Sequence, residues 1–146
     1  MNRHLFGTAS ALLFTAAAWA QAPSEAAANA AKEPGAQVMP SGLVFRSLKE
    51  GNGPSPQASD KVRVHYRGTL PDGKEFDSSY ARGQPAEFPL DRVIKCWTEG
   101  VQKLKVGGKA RLTCPPGIAY GERGAGGTIP PNAVLRFEVE LLAINP

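Results

Sequence analysis

The chain of 146 residues is poor in the groups that most enzymes work with. Two histidines, His4 and His65, and two cysteines, Cys96 and Cys114, are all it has of either kind. There is no Cys-x-x-Cys and no carboxylate cluster at ligand spacing, so neither a metal nor a cofactor is expected. Gly-x-Ser-x-Gly is missing, which removes the common serine-nucleophile signature. A glycine-rich loop is present, but no Gly-Lys-Ser/Thr follows it and no helix opens after it, which argues against nucleotide binding. The formal charge is only +4, and Lys and Arg are interleaved with Asp and Glu. Without a basic stripe, a nucleic-acid partner is not expected.

Long apolar runs are also scarce. The longest, Leu5 to Ala17, is too short to span a bilayer as a helix. It follows Arg3 and His4 and precedes Ala18-Trp19-Ala20, a small-x-small pattern of the kind a signal peptidase reads. Residues 1–20 are therefore expected to be an export signal, with no membrane span once it is removed. Residues 21–40 are rich in Ala, Pro, Glu, Asn and Gln without apolar periodicity, and read as a flexible linker. A short helix around Glu25 to Lys32 is the alternative, burying almost nothing. Residues 41–146 have the size of one domain with a single core.

Within that domain, apolar alternation recurs at Leu43 to Phe45, Val62 to Gly68, Ala110 to Cys114 and Leu135 to Ala143. Arg136, Glu138 and Glu140 fall on the opposite phase, as in an antiparallel sheet with one wet side. A single segment has helical spacing: Val93, Trp97, Val101 and Leu104, stopped by Gly107-Gly108. One short helix covering a mostly antiparallel sheet is an α+β architecture. Pro115 to Pro131 holds five glycines and four prolines and is a loop, flanked by Ile118, Tyr120, Ile129 and Phe137 as if beside an apolar cleft. His65, on the outward phase of its strand, reads as surface. Lys61, Arg63, Glu138 and Glu140 are taken to blunt strand edges, so that a monomer is expected.

HYRGTLPDGKEFDSS, residues 65–79, is a hairpin signal, with Asp72-Gly73 as a turn closed at Pro71 and Lys74. In that register Gly68 opposes Asp77 and Tyr66 opposes Ser79, so Phe76 and Asp77 point to opposite faces. Both can line one pocket only if the strand is bulged or bent after Phe76. Cys96 opens the helix and Cys114 lies on the core phase of its strand, so the two side chains can meet as a disulfide. Two buried free thiols are the alternative, which an oxidising compartment disfavours.

What remains suits a reaction that needs neither nucleophile, metal nor cofactor, and rotation about a prolyl peptide bond is one. VHYRGTLPDGKEFDSS, VIKCWTEGVQKLKVGGKARL, AYGERG and IPPNAVLRFEVELL occur in this order over about Gly42 to Leu142. They resemble the successive motifs of the FKBP-type peptidyl-prolyl cis-trans isomerases, in particular bacterial exported members. The resemblance implies a twisted antiparallel sheet of five or six strands wrapped around one short helix. It also implies a substrate pocket of Tyr66, Phe76, Asp77, Arg82, Val93, Ile94, Trp97, Tyr120, Ile129 and Phe137. Trp97 would be the floor, with Phe76 among the walls. The Ile94 N–H and the Tyr120 hydroxyl would donate to substrate carbonyls, and Asp77 would meet the rotating carbonyl. Partners implied are proline-containing segments of exported proteins and macrolide inhibitors, and the location implied is the periplasm, with secretion as second choice. Ala86, Ala125 and Thr128 replace bulkier residues of many relatives and imply a more open rim. The competing expectation is a non-catalytic chaperone or peptide-binding module using the same cleft.

Overall fold

The structure, a computed structural model, describes residues 23–146; the expected export signal lies outside them. The strands run in chain order as β1 (Ala36–Val38), β2 (Val44–Lys49), β3 (Lys61–Thr69), β4 (Glu75–Ser78), β5 (Ala86–Pro89), β6 (Lys109–Cys114) and β7 (Leu135–Ile144). The α-helices are α1 (Pro23–Ala31), α2 (Ser79–Arg82) and α3 (Lys95–Val101), with short 3-10 turns at Leu90–Arg92 and Pro116–Ile118.

Seven strands form one antiparallel sheet in the order β1-β2-β6-β7-β3-β4, with β5 also paired to β3. The period-two pattern of the long strands decides its faces. Val62, Val64 and Tyr66 of β3, Ala110, Leu112 and Cys114 of β6, and Leu135, Phe137, Val139 and Leu141 of β7 are all buried. A register shift between Arg63 and Val64 leaves Ala143 half-buried, although the alternation of β7 points it inward. The architecture is the expected α+β one, with an apolar helix face lying on a twisted antiparallel sheet.

That helix, α3, buries Cys96, Trp97, Gly100 and Val101. It is shorter than the apolar rhythm suggests, because Val93 is extended (φ −114°, ψ 177°) and Ile94 caps the first turn. Val93 and Ile94 are apolar for another reason: they wall a cavity. Cys96 of α3 is disulfide-bonded to Cys114 at the end of β6, with Cα atoms 5.8 Å apart, which ties the helix to the sheet.

Two expectations are corrected. Over its described residues, 23–40, the segment expected to be a flexible linker takes up the short helix named as the alternative, and a strand besides. It carries α1 and β1, and β1 pairs with β2 at Gln37↔Phe45. Ala26 and Ala30 of α1 are buried, and Glu33 just beyond the helix lies 3.8, 3.4 and 3.7 Å from Arg46, Arg111 and Arg136 on β2, β6 and β7. Alanine has little side chain with which to signal a contact, and edge pairing uses backbone groups alone, so neither left an apolar period.

The second correction concerns strand edges. Lys61, Arg63, Glu138 and Glu140 belong to β3 and β7 in the middle of the sheet, so they do not blunt an edge. On the wet face they serve as cross-strand partners, as in Arg111–Glu138 at 3.0 Å and Arg63–Glu87 at 2.8 Å.

Candidate active site

A cavity of about 490 Å³ opens between the inner face of the sheet and α3. Trp97 is its floor. Three rings meet the indole edge-on: Tyr66 at 5.2 Å and 85°, Phe137 at 5.4 Å and 87°, and Phe88 at 5.5 Å and 88°. Edge-to-face contact places the positive rim of one ring on the negative face of the next and locks each rotamer. The floor is thus a fixed apolar surface. Trp97 Nε1 is buried without a hydrogen-bond partner among the described residues, so even its polar atom is withheld from the cavity.

Phe76 reaches this cavity by the local route that its strand requires. The hairpin does not close at Pro71 and Lys74 with a two-residue turn. Leu70 N–H donates to Lys74 O, Gly73 N–H donates to Leu70 O, and Gly73 sits at φ +91°. This is a three-residue loop ending in a left-handed glycine. Asp72 keeps an ordinary negative φ and instead accepts from the Lys74 N–H at 2.9 Å. The loop sets Thr69 opposite Glu75 while Gly68 still opposes Asp77, so Phe76 is the extra residue of a bulge. Room for its ring comes from Gly68, where an added Cβ would stand 2.6 Å from Phe76 Cζ. Seated there, Phe76 meets Phe137 edge-on at 5.5 Å, and Phe76 and Asp77 share one pocket.

Asp77 is held by two side chains. Tyr66 donates its hydroxyl to Asp77 Oδ2 at 2.5 Å, and Arg82 Nη1 donates to Oδ1 at 2.6 Å. Arg82 Nη2 also donates to the Tyr66 hydroxyl at 3.1 Å, and the guanidinium lies over the Tyr66 ring at 5.7 Å. Burial alone pushes the Asp77 carboxyl up. The Tyr66 and Arg82 hydrogen bonds, with the Arg82 charge, outweigh it and hold the group below the ordinary carboxylate value. Burial and the adjacent Asp77 raise the Tyr66 phenol. Near neutral pH the mouth therefore presents an ionised, oriented carboxylate beside a neutral phenol.

α2 supplies the frame for this triad. Ser78 caps the helix by accepting from the Ala81 N–H, and Gly83 ends it in the left-handed conformation at φ 73°, which places Arg82 over Asp77. The buried Ser79 Oγ accepts from the Tyr66 N–H at 2.7 Å and lies 2.7 Å from His65 Nδ1. His65 is accordingly not a free surface residue; it is half-buried and stacked on Tyr80 at 4.6 Å and 14°. Opposite, Tyr120 stands half out of the glycine-rich loop, 42 % exposed, over the cavity. That loop is ordered by its own backbone: Gly124 N–H donates to Tyr120 O, and Asn132 N–H donates to Gly121 O.

Of the ten residues expected at the pocket, the structure brings eight to its lining: Tyr66, Phe76, Asp77, Val93, Ile94, Trp97, Tyr120 and Phe137. Arg82 stands behind Asp77, outside the lining. Ile129 is buried under the loop, where its backbone bridges Ala125. Two lining residues went unforeseen, Phe88 and Arg92. Phe88 supplies an aromatic wall two residues after Ala86, where many relatives were expected to carry one, so Ala86 does not leave that side bare. Its place in the alternation of β5 was the available signal; Arg92 had none.

Residues 53–142 match the family described as FKBP-type peptidyl-prolyl cis-trans isomerase. The chain is 53 % identical over 116 residues to the FKBP-type isomerase FkpA of Escherichia coli K12, covering 80 % of this chain and 43 % of that protein. With FkpA of Aeromonas hydrophila the identity is 58 % over 119 residues, covering 82 % of this chain and 44 % of that one. The crystal structure of FkpA from Escherichia coli superposes with a TM-score of 0.82 at 49 % identity, over 85 % of this chain and 58 % of that one. A peptidyl-prolyl isomerase from Pseudomonas syringae superposes with a TM-score of 0.79 at 41 % identity, over 85 % and 91 % of the two chains. The chain spans about half the length of the curated relatives it matches. Matched in its family motifs, its sheet topology and its sequence over most of its length, the chain belongs to the FKBP-type peptidyl-prolyl cis-trans isomerases.

Proposed function

We propose that the chain isomerises X-Pro peptide bonds in the Trp97 cavity and that its substrates are exported polypeptides. The observation that carries this reading is the pairing of an apolar, ring-walled floor with one oriented carboxylate at the mouth. Prolyl isomerisation is opposed by a barrier of about 20 kcal/mol from amide resonance. At the twisted geometry the amide loses that resonance and much of its dipole. An environment poorer in hydrogen bonds than water then favours it over the planar ground state. The proline ring would lie on Trp97 between Tyr66, Phe88 and Phe137. The Ile94 N–H, which meets no backbone acceptor among the described residues, and the exposed Tyr120 hydroxyl would bind substrate carbonyls. Asp77 would face the carbonyl as it rotates, held still by Tyr66 and Arg82. An acceleration of about 10³ to 10⁵ requires only ~4–7 kcal/mol, within the range of such electrostatic and desolvation effects.

Export is supported by the signal-like residues 1–20 and by the Cys96–Cys114 disulfide, which persists in oxidising compartments. Both fit the periplasm, with secretion as the second choice. Among the described residues, no helix is long and apolar enough to cross a membrane.

The test is prolyl isomerisation of a short peptide by the wild type and by Asp77→Leu. We expect acceleration by the wild type and about ten-fold or greater loss in kcat/KM for the variant, with an unchanged circular dichroism spectrum. A wild type that binds the peptide and suppresses aggregation without accelerating isomerisation would instead establish the non-catalytic binding module.

A further inference from the structure

The charges around the cavity are not balanced. Among the described residues, Arg46, Arg63, Arg67, Arg82, Arg111 and Arg136 each have a carboxylate within 4 Å. Arg92 and Arg123 have none, and of these two only Arg92 lines the cavity. Residues 1–22 contain no Asp or Glu that could serve as an unseen partner. The cavity's own carboxylate, Asp77, is already bound by Tyr66 and Arg82. With Asp77 and Arg82 cancelling, the mouth keeps one uncompensated positive charge, on the exposed Arg92 beside Phe88, Val93, Ile94 and Trp97.

The position of Arg92 also follows from its backbone. It closes the 3-10 turn Leu90–Arg92, immediately before the extended Val93. Asp91, its neighbour, faces a separate groove that shares Val93 with the cavity and also includes Lys95 and Glu99. Val93 is thus a partition, with Arg92 on the substrate side and Asp91 on the other, so Asp91 does not take up the charge of Arg92 at the mouth.

We infer that Arg92 is a specificity-determining residue: it selects X-Pro segments carrying an acidic side chain next to the proline. The inference rests on the isomerase reading above and adds a substrate class to it. Because Arg92 is exposed, the preference is that of a solvent-screened ion pair, about two- to five-fold in kcat/KM.

The experiment compares peptides that differ only in Glu or Gln, placed before the proline in one series and after it in another. Glu and Gln are nearly equal in size, so their ratio reports charge alone, and taking the ratio within each protein cancels any general effect of a substitution. At low ionic strength the wild type is expected to favour Glu about two- to five-fold in at least one series. Arg92→Gln should bring that ratio to about one, and Arg92→Glu should bring it below one. The wild-type preference should fade at about 1 M salt, where the screening length is about 3 Å. A wild-type ratio of one in both series, or a ratio that survives Arg92→Gln, overturns the inference while isomerisation of the Gln peptides still upholds the reaction. No acceleration of any peptide removes the reaction and the selectivity together.

Discussion

The Tyr66 hydroxyl and Asp77 Oδ2 lie 2.5 Å apart, joining the central strand β3 to the bulged strand β4 at the mouth of the cavity. That bond makes one electrostatic unit of two residues whose separate reading is unremarkable, a core tyrosine and a strand-end acid.

The pH response of this unit has a definite sign. Asp77 titrates below its ordinary value, so the stability it contributes is complete above the ordinary carboxylate range and is lost as pH falls through the lowered value. Tyr66 titrates above its ordinary value, so its contribution is complete below the ordinary phenol range and is lost only in strong alkali. Neither group changes charge between pH 6 and 8, and kcat/KM should be flat there. Tyr66→Phe removes the first hydrogen bond holding Asp77 and should move the acid limb of the thermal midpoint toward higher pH. Scanning calorimetry from pH 3 to 6 checks this. An acid limb shared by both proteins would show that Tyr66 does not govern Asp77.

What could be read in advance depended on which physical signal each element carries. β3, β6 and β7 have one dry and one wet face, so alternation declared Val64, Leu112 and Val139 at once. α1 and β1 are held by two alanines, a backbone ladder and Glu33, none of which produces an apolar period. Helical spacing extended α3 back to Val93 because a cavity wall and a helix face demand the same side chains. The bulge at Phe76 was required by the pocket that the family motifs implied, but the loop producing it was misassigned. Asp-Gly serves a two-residue turn and a three-residue loop equally well. Phe88 hid in ordinary strand alternation. An exposed arginine such as Arg92 gains meaning only from which neighbours fail to pair with it.

Trp97 is 4 % exposed and touches three rings, so its role in the fold and its role as a floor are inseparable. Trp97→Ala should cost about 3–5 kcal/mol of stability, the range for truncating a buried large aromatic. Urea unfolding at 25 °C measures it. A loss below 1 kcal/mol would mean that the site collapses to fill the void and that the indole is not the hub of the ring cluster.

The Cys96–Cys114 bridge closes 18 residues of sequence, and in the chain-entropy model such a loop contributes about 3 kcal/mol. Neither sulfur lines the cavity. Reduction should therefore lower the melting temperature clearly while isomerisation of a short peptide at room temperature is largely kept. Thiol titration of unreduced, denatured protein should find no reactive thiol. Two per chain would show that the bridge does not form in the purified protein.

The last expectation concerns the pair that admits Phe76 to the cavity. Gly68 lies directly beneath the Phe76 ring, and an added Cβ would stand 2.6 and 2.9 Å from two of its carbons and 2.9 Å from Phe137. These are rigid ring atoms, so they can yield only if the rings move. Gly68→Ala should cost about 1–3 kcal/mol, as other overpacked cores do, and should lower kcat/KM by displacing a pocket wall. If the clash with Phe76 is the cause, the cost must shrink once that ring is gone. In a cycle with Phe76→Ala, the double variant should then be more stable than the sum of the single losses by about 0.5–3 kcal/mol. Gly68→Ala should also cause little further loss of activity on the Phe76→Ala background. Additive losses in both stability and kcat/KM would place the penalty elsewhere, in β3 itself or at Phe137, and would remove Gly68 from the reason that Phe76 and Asp77 share one pocket.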